Sequence, residues 1–291
     1  MRVLVACEES QRVCIEFRKL GHEAYSCDVI EPSGGHPEWH IKGDALRIIN
    51  PAVHENHYEG FGGFSGIRFY TMDGEEHEFS GKWDLIIAHP PCTYLTNVAT
   101  RSFSLRVTPA EKVVKRWEER AKAVAFFMQL ALANCDRIAV ENPVGFMTKA
   151  YRKPDQYISP WMFATGVDDT ENYFSKKTGL WLKGLPKLHG NGIIKNFSSE
   201  IYGKYPNGKN RTWKDIVHGA DVRSKTFPGI ARAMAEQWGG ILTEKDGGRT
   251  EKGHGSKRGP DQKGVWIKKG VASWELRSQH AAGTAAAPER E

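Results

Sequence analysis

The sequence predicts an α/β fold, a mostly parallel sheet with helices on both faces, of Rossmann-like type. Three observations predict it. Short apolar runs near residues 3–6, 85–88 and 137–140 alternate with segments of helical periodicity. Each run gives way to a polar or turn-forming loop. Cys7, Asp28, Cys92 and Glu141 all fall at the ends of such strand-like runs, where sheets of this kind bind ligands.

The elements follow in order. Residues 3–6 read as a buried strand, and Ser10 to Leu20 as a helix with Val13, Phe17 and Leu20 on one face and Gly21 as its stop. A second strand, about Glu23 to Cys27, ends at Asp28 and completes a β-α-β unit. A polar segment holding Gly43-Asp44 leads into residues 51–82, rich in glycine and aromatics. There Ile67 to Tyr70 and Glu76 to Phe79 flank Asp73-Gly74, a hairpin turn, and the stretch reads as an insertion. After the 85–88 strand, Thr108-Pro109 opens a long helix ending near Asn134, whose apolar positions Val113, Trp117, Ala121, Val124, Met128 and Ala131 repeat at helical spacing. It feeds the strand at 137–140. Residues 151–227 are irregular, with Trp161-Met162-Phe163 and Leu180-Trp181-Leu182 as apolar knots, and 228–238 form a short helix closed by Gly239-Gly240. Residues 1–243 therefore read as one folded domain, and 244–291 as a flexible basic linker and tail.

At 291 residues, 40% hydrophobic and 11% aromatic, the chain can bury one sizeable core. Five cysteines without Cys-x-x-Cys spacing argue against a disulfide framework and a structural zinc. The start reads as a strand rather than a signal peptide, and no apolar run approaches a membrane span. The expectation is a soluble protein of a reducing compartment, the cytoplasm. A formal charge of +6 and a pI near 9.0 fit a polyanion partner. The basic residues concentrate in 101–122 and in 195–232, surfaces suited to tracking phosphates.

Pro90-Pro91-Cys92 follows one apolar run, and Glu141-Asn142 ends another 49 positions after the cysteine. Two strands of one sheet would bring thiol and carboxyl to the same edge, a pairing that fits chemistry on a pyrimidine ring. A thiolate can add to C6 while a carboxyl group at N3 offsets the charge that builds on the ring. The tandem prolines fix φ and make a stiff turn that aims the cysteine. The same pattern also describes a strand end with a Cys packed as a small hydrophobe.

Beyond these residues, the chain resembles the C5-cytosine-specific DNA methyltransferases, which carry a Pro-Pro-Cys nucleophile motif and a Glu-Asn motif after the next strand. It is most similar to a compact, phage-type branch, through Ala6-Cys7-Glu8-x-Ser10, Ser26-Cys27-Asp28, Gly43-Asp44, His89-Pro90-Pro91-Cys92-Thr93-Tyr94-Leu95, Lys177-Thr178-x-Leu180-Trp181-Leu182-Lys183-Gly184-Leu185-Pro186 and Arg223-Ser224-Lys225-Thr226-x-Pro228-Gly229. The likeness covers roughly residues 1–240. It implies S-adenosylmethionine as donor, DNA as partner, no metal, and a flipped base held covalently. It implies Cys92 as nucleophile and Glu141 as ring-binding acid. It places Cys7, Glu8, Ser10, Asp28, Asp44 and Pro90 at the donor, with Asp28 accepting from ribose hydroxyls and Asp44 meeting the adenine amino group. Pro91, Thr93 and Asn142 fall beside the substrate, and the arginine near the target base is Arg223, with Arg211 as the other candidate or a phosphate contact.

The sequence departs from the family in three places. The first loop, Cys7-Glu8-Glu9-Ser10-Gln11, has no glycine where the family makes a Gly-rich turn. Ser10 remains available to cap the first helix, whose N-terminus would face the donor's carboxylate, and Glu8 either meets the donor's ammonium or is solvated. Thr93 stands where Gln commonly follows the nucleophile. No large target-recognition domain fits before residue 228, which implies a short or loose target site or a DNA contact through the 51–82 insertion. Three other functions fit the same residues: an exocyclic-amine methyltransferase, a catalytically weak nucleic-acid-binding protein on this fold, and a modifier of RNA or free pyrimidine nucleotides.

Overall fold

Along the chain the strands are β1 (Arg2–Ala6), β2 (Glu23–Asp28), β3 (His40–Lys42), β4 (Ala52–His54), β5 (Phe64–Tyr70), β6 (Glu76–Ser80), β7 (Leu85–Ala88), β8 (Ile138–Pro143), β9 (Gln156–Ile158) and β10 (Thr178–Lys183). The helices are α1 (Arg12–Lys19), α2 (Ala110–Ala131), α3 (Met147–Ala150), α4 (Trp213–Ile216) and α5 (Pro228–Gly239). This computed structural model describes residues 1–54, 64–219 and 223–240. The stretch 244–291, read as a linker and tail, lies outside the described residues.

The central sheet runs β3-β2-β1-β7-β8-β10-β9. Strands β3, β2, β1, β7 and β8 are mutually parallel. Strand β10 enters antiparallel to both β8 and β9. The fold is thus α/β and Rossmann-like, with its order reversing between β1 and β7, the crevice where such sheets bind ligands.

Side chains alternate between the two faces of the sheet. Val3, Val5, Leu85 and Ile87 point to one side, where Val13, Cys14 and Phe17 of α1 and Ile230, Met234 and Trp238 of α5 complete a core. Leu4, Ile86, Ile138 and Val140 point to the other, against Phe127 and Leu130 of α2 and against Ile67, Phe69 and Phe79 of the small sheet. Both cores are continuous apolar layers, so each strand of the parallel body is buried on both faces.

Several expectations change. Helix α2 ends at Ala131, and its buried side is Val113, Arg120, Phe127, Leu130 and Ala131. Trp117 is 47% exposed and sits at the rim. The reason is Arg120, whose guanidinium lies over the rings of Phe103, Phe146 and Trp117 and donates from Nε to the Tyr94 carbonyl at 2.8 Å. A cation satisfied in this way can take a core position that apolar periodicity assigns elsewhere. The stretch 151–227 contains β9 and β10, so the knot at Leu180 to Leu182 is a sheet strand. The predicted hairpin is β5–β6, joined through Gly74 at φ 89°, and β4 adds a third strand. Its inner face belongs to the core, while on its outer face Arg68 pairs with Glu76 and Glu78, which gives little support to a DNA contact there.

Candidate active site

Ala6, Ala88 and Val140 share one register row across β1, β7 and β8. The next residue of each strand is Cys7, His89 and Glu141, and the ladder is extended by His89 N donating to the Ala6 carbonyl at 2.9 Å. These three residues therefore line the carboxyl edge at the switch point. Sequence proximity alone does not give this; the parallel register does.

Cys92 lies three residues beyond that row, on a tight turn. Its carbonyl accepts from Leu95 N at 2.9 Å and from Thr96 N at 3.1 Å. Pro90 is buried, Pro91 and Thr93 are exposed, and Cys92 is half-buried. The turn is tied to the end of β8 and the chain beyond it. Asn142 Nδ2 donates to the Pro90 carbonyl at 2.9 Å, and Phe146 N donates to the Leu95 carbonyl at 2.6 Å. Thr96 bridges Gly145, where any Cβ would overlap the Leu95 carbonyl. Thiol and carboxyl are thus brought to one edge, as the two motifs imply.

Four buried or half-buried ionisable groups share this edge with the thiol. His89 Nδ1 stands 3.0 Å from Glu141 Oε2, with the two side chains 12% and 9% exposed. Burial alone would push the imidazole down; the bond and charge of Glu141, then the charge of Glu8, overcome this and hold it above its ordinary value. Burial would likewise push Glu141 up, but the bond from His89 and the charges of His89 and Lys176 hold it below the usual carboxylate range. The Cys92 thiol is pushed up by burial, against the opposing charge of Lys176.

Lys176 was not singled out by the sequence. It is 9% exposed, and its Nζ donates to the Arg223 carbonyl at 2.9 Å, 5.9 Å from the Trp213 ring centre and 5.6 Å from that of Phe227. Its ammonium is the cation that acts on Cys92, Glu141 and His89 alike. Arg223 reaches the site through this backbone carbonyl. Arg211 lies on an exposed turn with its guanidinium 5.4 Å from the Tyr205 ring centre. A lysine within a Lys-Lys-Thr run gives no periodic signal of burial, so only the tertiary contact reveals it.

The other side of the switch point carries the residues assigned to the donor. The first loop takes left-handed backbone without glycine, at Cys7 (φ 60°) and Gln11 (φ 56°), at a cost of roughly 1 kcal/mol each. Gln11 is fully buried and holds the loop: its amide donates to the His36 carbonyl at 2.8 Å and its Oε1 accepts from His36 N at 3.0 Å. Ser10 does not cap α1. Glu8 does, accepting from Val13 N at 2.7 Å and Cys14 N at 3.2 Å. Glu8 is neither solvated nor presented to a ligand, being 3% exposed. Burial raises its carboxyl to about 7, against the lowering effect of His89 and of the two amides.

Asp28 and Asp44 stand near Cys7 and Cys27, where burial first and then these carboxylates push both thiols up, Cys27 to about 12. Asp28 Oδ1 accepts from Ile30 N at 3.3 Å and Asp44 Oδ1 from Leu46 N at 3.0 Å. Each is a turn or cap residue with acceptor capacity left over.

Among the described residues no cluster of His, Cys, Asp and Glu has a metal-binding arrangement, and no helix is long and apolar enough to cross a membrane. Comparison with models of known protein families finds no match, and comparison with characterised proteins finds no significant similarity.

Proposed function

We propose that the protein transfers a methyl group from S-adenosylmethionine to C5 of cytosine in DNA, with Cys92 as nucleophile and Glu141 as ring-binding acid. The observation that carries this reading is the meeting of a thiol on a doubly tethered Pro-Pro turn with a buried Glu141, His89 and Lys176 at one strand edge. Cys92 adds to C6 as a thiolate, its proton leaving to solvent. Lys176 opposes the desolvation of that thiolate. Glu141 meets N3 and offsets the charge on the ring. The enamine so formed makes C5 the attacking atom; loss of the C5 proton then expels Cys92. Asn142 fixes the turn that aims the thiol.

The donor supplies the methyl group when bound. Asp28 and Asp44 fit its ribose and adenine, since each retains acceptor capacity, Asp28 at the end of β2 and Asp44 just beyond β3. The N-terminus of α1 does not fit its carboxylate, because Glu8 already takes the first free amides. This filled helix end favours a second reading, a nucleic-acid-binding protein on the same fold with weak donor binding. DNA is the partner in both. Exposed Arg101, Arg106, Lys112 and Lys115 lie before and along the helix whose Arg116 and Arg120 meet Tyr94 beyond Cys92, and in this reading they supply the phosphate contacts.

The test is a DNA oligonucleotide carrying 5-fluorocytosine, mixed with the protein and S-adenosylmethionine. Fluorine blocks the last elimination, so the methyltransferase reading expects a denaturant-resistant adduct that needs both the donor and Cys92 and is absent from Cys92→Ala. DNA binding with no adduct in any sequence context, and no calorimetric signal for the donor, selects the second reading.

A further inference from the structure

We propose that His89 is a positioning residue of this site: it holds Glu141 and lends it the proton that the carboxyl group shares with the ring nitrogen. This deepens the reading just given and rests on it.

An ionised carboxylate only accepts hydrogen bonds. To offset negative charge on a ring under attack by a thiolate, Glu141 must bring a proton to N3, so a proton source has to stand against it. His89 meets that need by position. Its Nδ1 is 3.0 Å from Glu141 Oε2, and among the described residues no other donor reaches that buried oxygen. Its Nε2 is buried without a partner among the described residues, so Nδ1 is the ring nitrogen that exchanges a proton with Glu141. Thr226 Oγ1 lies 3.5 Å from Nδ1, and the Thr226 carbonyl accepts from Arg12 Nη1 at 2.8 Å, which steadies the far wall.

The charged groups facing the imidazole are Glu141 from β8, Glu8 from the loop after β1, and Lys176 from the segment before β10. Two acids against one ammonium favour imidazolium. The S–C6 bond forms as the C5–C6 π pair moves into the ring toward N3, and the one proton on Nδ1 of His89 passes to the Glu141 carboxylate and on to N3, leaving the imidazole neutral and Glu141 ionised. When N3 gives up its proton at elimination, the transfer reverses and His89 is again imidazolium. Asn142 already anchors the turn, so fixing the loop is not the role left for His89.

The test follows 5-fluorocytosine adduct formation against pH in the wild type, His89→Asn and His89→Ala. Asn places a donor where Nδ1 was but cannot titrate. The wild type is expected to show a bell-shaped profile whose falling limb tracks His89 deprotonation. In His89→Asn that limb disappears and the rate at the optimum falls at least about tenfold, a loss of roughly 1.4 kcal/mol of transition-state stabilisation. An unchanged falling limb in His89→Asn overturns the proposal while leaving the methyltransferase reading intact. A wild type that forms no adduct overturns that reading first. Because a His89 variant can fail to fold, the imidazole is also titrated by NMR in the wild type and in Glu141→Gln. The midpoint is expected to fall in Glu141→Gln, and an unmoved midpoint overturns the proposal independently of activity.

Discussion

Asn142 Nδ2 donates to the Pro90 carbonyl at 2.9 Å, a bond spanning 52 residues of chain. It joins the end of the strand that carries Glu141 to the turn that carries Cys92. Asn142→Ala removes the donor and leaves a buried carbonyl unsatisfied, at a cost of roughly 1–3 kcal/mol. The expected outcome is a lower denaturation midpoint and an adduct rate reduced about tenfold or more, since small misplacements of a nucleophile are costly. Chemical denaturation and the adduct assay, run side by side, check both.

Gly145 lets two backbones approach more closely than any side chain permits. In Gly145→Ala the new Cβ meets the Leu95 carbonyl, and either the Cys92 turn or the start of α3 must shift. The expected outcome is destabilisation of roughly 1–3 kcal/mol with a larger proportional loss of adduct formation than of DNA affinity. Fluorescence anisotropy and adduct yield separate the two.

Lys176→Met keeps the length of the side chain and removes the cation whose charge most opposes burial of the Cys92 thiol, ahead of Lys214, and which also acts on Glu141. The Cys92 thiol is then pushed further up. Alkylation of Cys92 by iodoacetamide near pH 8 should slow several-fold, and Lys176→Arg should recover part of the rate. Alkylation mapped by peptide mass measures it without any assumption about substrate.

Glu8 gives the fold a signature against pH. Its carboxyl sits at about 7 in the folded protein against an ordinary 4.5, so the folded state binds the proton more tightly. Its contribution is therefore most favourable below the unfolded value and is lost as pH rises from about 4.5 to about 7, a change of about 3 kcal/mol. Glu8→Gln retains an oxygen for the α1 amides and cannot ionise. Urea unfolding should show Glu8→Gln gaining stability relative to the wild type as pH rises through that window, with the difference flat above it.

The sheet body and the pairing of Cys92 with Glu141 were legible in the sequence. Proline fixes φ whatever surrounds it, and a four-residue apolar run buried on both faces leaves a plain signal. Lys176, the capping role of Glu8 and the buried place of Arg120 were not legible. In each the polar group is satisfied by a residue distant in sequence or by backbone met only after folding, so the sequence around it looks like a solvated surface. Strands β9 and β10 were missed for a related reason: β9 has three residues, and β10 contains Gly179 and ends in Lys183, which weakens its alternation. The left-handed backbone at Cys7 and Gln11 runs against local preference. It is held by the buried Gln11 amide, a contact with no trace in spacing.

The four ionisable groups around the thiol, two acids and two bases, come close to cancelling one another. This edge thus exerts little pull of its own on a polyanion, and in the proposed function attraction falls to the arginines and lysines outside it. Encounter and chemistry are governed by separate charges: raising the ionic strength should lift KM steeply while leaving kcat nearly flat. Under the proposed function, grip on DNA and competence on a seated base would fail separately.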